Sequence, residues 1–444
     1  MNSGGKEIKM VGITSYGAYI PYYRLNRFEI MGAWMGQVIP QPGEKAVANW
    51  DEDSVTMAVA AGQDCLTGID NNKIDGVYMA TTSSPYKERQ AAGIVSAVLD
   101  CRRDIRVADF TDSIRASTIA LNSAFDAIKG GTAKNMLVAA GECRLGATAS
   151  ASEMGFGDAA AALMLGDEGV IASLEGTYTI SEDFMDMWRS DRDNVVRQWE
   201  DRWMRDEGYG KVIPEAVAGL LAKCNLSIGD VTKVAFFGPY AGEHVRIGKA
   251  MKAQPAQVQA HLLDTVGNTG AAHAMLMLVA ALEDSKPGDT ILVASYGNGS
   301  DAMLFKVTDE IEKVRNRKGV KGHLAIKAPT SYTKYLRWRE MVPLEPGGRA
   351  EAELRVVSTS ALWRHRKETL ALYGSKCTNC GTPQYPPQRV CYKCGTYDQI
   401  EDYKFADKKA KVFTFTQDVL AFTIDPPAIY AVVDFEGGGR GMFD

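Results

Sequence analysis

Long hydrophobic runs are missing from this 444-residue chain, and no apolar stretch approaches the roughly 20 residues that span a bilayer. A basic excess is missing too. Fifty Lys and Arg against 55 Asp and Glu leave a formal charge of −5, with no clustered basic face to hold nucleic acid. The opening residues, MNSGGKEIKMVGITSYGAYIPYYRL, lack the charged-then-apolar layout of a secretion signal and run into a strand-like stretch. A cytoplasmic protein with no membrane or nucleic-acid partner is expected. Cysteine is sparse: of eight, Cys65, Cys101, Cys143 and Cys224 are scattered, which excludes the dense framework of a secreted disulfide scaffold. Low-complexity segments are absent, and the length asks for two or three domains.

What is present is alternation. IDGVYMA (74–80), NMLVAAG (135–141), VTKVAFFG (231–238) and DTILVASYG (289–297) read as buried strands. Between them lie Ala-rich segments of helical spacing, STIALNSAFDAIKGG (117–131) and AAHAMLMLVAALEDSKPGD (271–289). This is the pattern of an α/β layered fold. A helix, a GG or PGD turn and an apolar strand occur at 117–141 and again at 271–299, each followed by another strand-like run, at 157–166 and 299–307. Two similar halves packed together would produce this echo, although any α/β chain shows some of it.

The remaining four cysteines form two C-x-x-C pairs, Cys377/Cys380 and Cys391/Cys394, ten residues apart. Four thiolates in two knuckles make the closed tetrahedral set of a structural zinc ribbon, and Gly381 and Gly395 follow each second cysteine. Ligand type alone leaves iron as an alternative metal. Between the apparent halves, EDFMDMWRSDRDNVVRQWEDRWMRDEGYGKV breaks the alternation. It reads either as an amphipathic surface helix or as a lid over a ligand with phosphates and a flat ring. A charged connector after residue 310 leads to a linker around Pro343–Gly348. Beyond the ribbon, KVFTFTQDVL and PAIYAVVDFEGGG read as antiparallel strands.

Six segments carry a resemblance: GITSYGAYIPYYRL (12–25), NWDEDSVTMAVAA (49–61), SIRASTIAL (113–121), GFGDAAAALMLGDEGVIA (155–172), GNTG (267–270) and KPGDTILVASYGNGSDA (286–302). Through them the body resembles the thiolase superfamily, and within it the hydroxymethylglutaryl-CoA synthases. Residues from Trp363 onward are similar to the zinc-ribbon and OB-fold domains that accompany thiolase-like enzymes. The resemblance implies a duplicated α/β/α/β/α fold, a homodimer, acyl-CoA thioester substrates and, for the tail, association with a thiolase partner subunit. The resulting expectation is a first thiolase-like half over 1–175, an inserted lid-like segment over 176–227, and a second half over 228–325. A linker over 326–362, a zinc ribbon over 363–400 and an OB-fold-like β segment over 401–444 follow.

Carried over residue by residue, the resemblance exposes substitutions. Ile114 falls where these synthases place their nucleophilic cysteine, Thr82 where they place the acid/base glutamate, and Phe237 where they place the histidine. Asn268 of the GNTG turn and the Gly-rich stretch Ser295–Asp301 are retained. Asp112 and Ser113, at the expected start of a helix, are candidate catalytic groups or N-caps. His273 is a candidate to reach a thioester carbonyl or to take a proton, or else a core histidine. Cys143 either faces the pocket or is an inert buried thiol. Trp188, Arg189, Tyr296 and Gly297 are candidate contacts for coenzyme A. Three functions follow: a carbon–carbon lyase or ligase working without an acyl-cysteine, in aldol or retro-aldol fashion; an acyltransferase with a shifted nucleophile; and a non-catalytic scaffold subunit.

Overall fold

The computed structural model describes residues 10–35, 41–343, 358–421 and 423–444, which fall into two units, Met1–Met341 and Val342–Asp444. In the first unit, nine strands share one sheet. They are β1 (Gly12–Tyr19), β2 (Gly76–Ala80), β3 (Arg106–Phe110), β4 (Met136–Glu142), β5 (Ala159–Gly166), β6 (Ala172–Ser181), β7 (Lys233–Ala235), β8 (Thr290–Tyr296) and β9 (Gly299–Val307). Their order is β7-β8-β9-β6-β1-β5-β4-β2-β3.

The duplication is visible in that order. β2 and β4 are parallel, and β5 then β1 follow antiparallel; β7 and β8 are parallel, and β9 then β6 follow antiparallel. The halves join where β1 meets β6, through only Gly12↔Ser173 and Ile13↔Ala172. β4 and β5 are buried along their whole length, as strands covered on both faces must be.

The helices are α1 (Ser54–Cys65), α2 (Ala91–Val98), α3 (Ala116–Lys129), α4 (Gly210–Lys223), α5 (Ala241–Ala250) and α6 (Gly270–Asp284). Three apolar clusters separate the layers. α1 and α2 pack against the first half's outer face, α4 and α5 against the second half's, and α3 and α6 lie together between them. This is the duplicated five-layer thiolase-like architecture. α6 has no polar face to offer: every residue from Gly270 to Leu282 is buried.

Several boundaries differ from those expected. Residues 176–181, placed in the inserted segment, belong to β6, because their alternate side chains and backbone complete the pairing with β9. α4, at the other end of that segment, is a body helix that buries Val212, Ile213, Val217 and Leu220. The excursion from the body is therefore residues 182–209. It is not one amphipathic helix: a two-pair hairpin, Met187–Trp188 with Arg197–Gln198, precedes a short helix and a π-helix, Met204–Tyr209. The expected linker begins too early, since Tyr332–Trp338 is a helix whose Tyr335 and Trp338 are buried in the first unit. Residues 344–357 of that linker lie outside the described residues.

In the second unit, two short helices, Thr359–Arg364 and Arg366–Ala371, precede a three-stranded sheet of Tyr373–Cys377, Pro383–Gln384 and Ile400–Lys404. A separate antiparallel sheet follows, made of Ala410–Asp418, Ala428–Phe435 and Arg440–Phe443. The antiparallel reading of the tail holds. An OB-fold does not emerge, because among the described residues these three strands leave two open edges and a barrel needs about five strands to close.

Candidate functional site

The loop after β8 presses against the start of α3. Ser113 Oγ donates to the Gly297 carbonyl at 2.9 Å, and the Arg115 guanidinium pairs with the buried Asp301 carboxylate at 3.1 Å. That ion pair, with Thr118 and Thr179 donating to the same carboxylate, sets where the helix begins. α3 therefore starts at Ala116, with Arg115 as its N-cap. Asp112 and Ser113 are not the N-cap: Asp112 is exposed in a left-handed conformation, its carboxylate bound by Thr111, and Ser113 Oγ donates to Gly297 while accepting from the Arg115 amide at 3.3 Å, one residue short of the helix.

Ile114 lies beside the apolar cluster of the second half, which contains Tyr209, Phe237 and Tyr296. Aromatic rings then run in a line toward the start of α6. Tyr296 meets Tyr209 at 4.0 Å between ring centres, Tyr209 meets Phe237 at 5.9 Å, and Phe237 meets His273 at 4.5 Å. The π-helix delivers Tyr209 to this line. An extra residue in one helical turn is costly and tends to mark function. Gly208 permits the contact, because a Cβ there would stand 2.5 Å from the Tyr296 hydroxyl.

Polar groups border the rings, and several have nothing to bond. Tyr209 Oη, Arg144 Nε and His273 Nε2 are buried without a hydrogen-bond partner, and Tyr296 Oη and Asp186 Oδ2 have none but one another. Orphaned atoms cost on the order of 1–3 kcal/mol each and are ordinarily satisfied in native proteins, so three beside such a pair point to a place built for a ligand. Burial raises the pKa of Asp186, opposed by the Met187 amide, Tyr296 and Arg144. Burial also pushes the Tyr209 and Tyr296 phenols well up, assisted by the Asp186 charge. The Asp186 carboxylate thus neighbours both tyrosines and Arg144.

The last strand residue of β4, Glu142, accepts from the Thr82 amide and hydroxyl, the Ser83 hydroxyl and, at 2.9 Å, the Ala271 amide. It ties the Thr82 loop to the N-terminus of α6, where the helix dipole favours an anion. Arg144 Nη2 donates to Asn268 Oδ1 at 3.0 Å, and the guanidinium lies 4.2 Å over the Phe156 ring. Asn268 Oδ1 also accepts from the Gly270 amide, and its Nδ2 is the donor half of the carboxamide. His273 Nδ1 accepts from the Thr269 amide at 3.2 Å, which leaves the ring proton on Nε2. Burial lowers the pKa of His273 to about 3, with His244 and Arg144 adding to the effect, so the ring is a neutral donor.

Of the residues singled out from the sequence, the structure brings Asn268, His273 and Tyr296 to this place. Gly297 and Ser113 sit at its edge through their mutual bond. Trp188 is half-buried in the hairpin. Arg189 is exposed and donates to the Thr82 carbonyl at 2.6 Å, joining the excursion to that loop. Cys143 faces elsewhere: its thiol neighbours Asp158, Arg339 and Tyr335, and burial pushes its pKa far up. Glu142, Arg144, Asp186 and Tyr209 were not singled out. The one available signal was charge inside an apolar strand end, GECRLG (141–146), which no partner in the sequence explains.

The metal site is separate. Cys377, Cys380, Cys391 and Cys394 present sulfurs all within 4.8 Å of one another, with Cys377–Cys394 at 3.7 Å and Cys380–Cys391 at 3.5 Å. Zinc–sulfur bonds of about 2.3 Å in a tetrahedron require sulfurs roughly 3.8 Å apart, so the four fit that ion. Gly381 and Gly395, at φ of 72° and 71°, return their amides to Cys377 and Cys391 and make the knuckles. Thr382 and Thr396 hydroxyls contact the Cys380 and Cys394 sulfurs at 3.1 Å. These four residues would hold the metal, which closes the ribbon and supplies no open position.

Residues 365–397 match the family described as ChsH2, rubredoxin-like zinc ribbon domain. The body is similar to the hydroxymethylglutaryl-CoA synthase of Methanopyrus kandleri, 33% identical over 317 residues that span 69% of this chain and 90% of that protein. The synthase of Methanocaldococcus jannaschii is 30% identical over 349 residues, 76% of this chain and all of that protein (100%). In structure the chain is similar to an HMG-CoA synthase complexed with CoA, at a TM-score of 0.67 and 20% identity, over 79% of this chain and 95% of that one. A 3-oxoacyl-[acyl-carrier-protein] synthase III from Aquifex aeolicus gives 0.58 and 20%, over 67% and 99%. Among the described residues no helix is long and apolar enough to cross a membrane.

Proposed function

The chain belongs to the hydroxymethylglutaryl-CoA synthase family, and from that premise we propose that its body acts on coenzyme A thioesters, making or breaking a carbon–carbon bond in aldol or retro-aldol fashion without an acyl-cysteine. The observation that carries this reading is the surroundings of Ile114. A covalent condensation needs an activated thiolate there, and an alkyl side chain supplies none. None of the four cysteines outside the ribbon takes its place. Cys143 faces Asp158 and Arg339, burial raises Cys65 to about 12, Cys224 packs beside Gly176, and Cys101 packs against the outer apolar cluster of the first half. Ser113 has its hydroxyl on a backbone carbonyl with no base beside it, which disfavours an acyl-serine.

Aldol chemistry asks for less: donors for the enolate oxygen, a group to move a proton, and exclusion of water. The neutral His273 presents Nε2–H, Asn268 has its Oδ1 held by Arg144 and Gly270 and carries the amide Nδ2 as a further donor, and Arg144 adds a positive charge. Admission of an acyl group then requires the excursion 182–209 to give way. It is attached by the Arg189–Thr82 bond and by the Val196 amide on the Leu145 carbonyl.

Intact-mass measurement after incubation with acetyl-CoA tests the mechanism: no adduct is expected, and an acetylated Ser113 or cysteine would overturn it. Thioester binding with no turnover of any 3-hydroxyacyl- or 3-oxoacyl-CoA would instead favour a scaffold subunit.

A further inference from the structure

Asp186 and Tyr209 come from the excursion and Tyr296 from the end of β8, and apart from Asp186 Oδ1, which accepts from the Met187 amide at 2.7 Å, the body's ion pairs and hydrogen bonds leave the ends of their side chains unused. Tyr209 Oη is buried with no partner, Asp186 Oδ2 and Tyr296 Oη have none but one another, and the two rings lie 4.0 Å apart. A π-helix and a glycine whose Cβ would strike the Tyr296 hydroxyl bring them together. Structural tyrosines in an apolar cluster ordinarily find an acceptor or are replaced by phenylalanine at no cost. Ile114 packs against the apolar cluster that holds both phenols; Phe237 meets both Tyr209 and His273; and Arg144, bonded to Asn268, lies close enough to act on Tyr209 and Asp186.

We propose that Asp186 and Tyr296, backed by Tyr209, are the proton-transfer pair of the site, acting on 3-hydroxyacyl-CoA thioesters whose carbinol carbon carries apolar groups. The proposal rests on the aldol reading above. Asp186 Oδ2 takes the proton of the 3-hydroxyl. The bond between C2 and C3 breaks, C3 becomes a ketone or aldehyde carbonyl, and the electron pair passes to C2 and the thioester oxygen as an enolate. Tyr296 gives its phenol proton to C2, releasing the shortened acyl-CoA, and the adjacent Asp186 returns its proton to the phenolate. Atoms and charge balance, with no oxidant, reductant or further reactant. In the reverse direction the same pair deprotonates the acyl-CoA. Burial, which raises the pKa of all three groups, makes the carboxylate a stronger base than one in water. Tyr209, stacked on Tyr296, bounds the phenol and faces the same carboxylate.

The test uses the full chain, zinc loaded, with two probes. The first is acetyl-CoA in deuterium oxide, in which exchange of the methyl protons reports the Tyr296–Asp186 step without any carbonyl partner. The second is 3-hydroxy-3-phenylbutanoyl-CoA, whose cleavage releases acetophenone and acetyl-CoA. Wild type is expected to exchange. Tyr296→Phe and Asp186→Asn are expected to lose exchange by about 100-fold or more, the usual worth of a placed acid or base, while acetyl-CoA affinity stays within about 3-fold. Both substitutions keep shape, and an unchanged urea midpoint verifies the fold. Wild type that exchanges or cleaves, with variants that do so within about 10-fold, overturns this assignment and leaves the aldol reading standing. Wild type that does neither overturns both.

Discussion

Gly208→Ala separates two opposed effects that the structure allows to be weighed. In an ordinary helix the change would stabilise by about 1 kcal/mol, because glycine gives up more backbone freedom than alanine. Here the new methyl would lie 2.5 Å from the Tyr296 hydroxyl and 3.1 Å from Tyr296 Cζ. Tyr296 is fully buried against Tyr209 and cannot swing aside, so overpacking of about 1–3 kcal/mol is expected. The sum is a loss of up to about 2 kcal/mol. In a Tyr296→Phe background the 2.5 Å contact is gone, the 3.1 Å contact needs only a few tenths of an ångström of relief, and the helical gain survives. The two substitutions should therefore couple by about 1–2 kcal/mol, far beyond the roughly 0.5 kcal/mol scatter of independent sites. Urea unfolding of the four proteins, followed by circular dichroism, measures the cycle. Additivity within that scatter would refute the packing described around the π-helix.

Three further outcomes are expected. Metal analysis of the purified chain should find one zinc per polypeptide, lost in Cys391→Ser; an equivalent of iron would overturn the zinc reading of the ribbon. Asn268→Ala should lower unfolding free energy by about 2–4 kcal/mol, since it strands the Arg144 guanidinium and the Gly270 amide, whereas Asn268→Asp keeps their acceptor and should cost less, as read by denaturant midpoints. Burial lowers His323 from 6.5 to about 4, so the unfolded chain binds its proton first on acidification. The contribution of His323 is full above pH 6.5 and is lost as pH falls toward 4, at up to about 1.4 kcal/mol per pH unit. The stability difference between wild type and His323→Asn should shift against wild type over that window, and a constant difference would remove His323 from the acid limb.

Elements whose pattern is local were legible in the sequence. Apolar runs 135–141 and 289–297 became β4 and β8 within a residue or two, the Ala-rich segments became α3 and α6, and the cysteine spacing alone placed the four sulfurs. VTKVAFFG was read as one strand, but only Lys233–Ala235 pairs; Phe236 and Phe237 leave the sheet to fill the cluster beside Tyr209. The site was less legible because it is assembled by topology. Glu142 ends one strand with Arg144 just beyond it, Tyr296 ends another about 150 residues later, and Asp186 and Tyr209 arrive from an excursion whose turns follow no simple period. Asp112 and Ser113 misled for the opposite reason. Both are good capping residues by type, but the Arg115–Asp301 pair decides where the helix starts.

The unbroken burial of α6 bears on how the polypeptide comes into being. A rod of thirteen consecutive enclosed residues has no face it can show to water, so it cannot wait outside its finished surroundings. During synthesis the first half emerges with α3 and the inner side of its sheet uncovered, and nothing made before residue 270 can cover them in the native way. The nascent chain therefore carries a large oily surface for the time needed to translate about a hundred further residues, several seconds at ordinary ribosomal speed. Fragments ending between the halves should be captured by chaperones or precipitate, and productive folding begins only once both halves have left the ribosome.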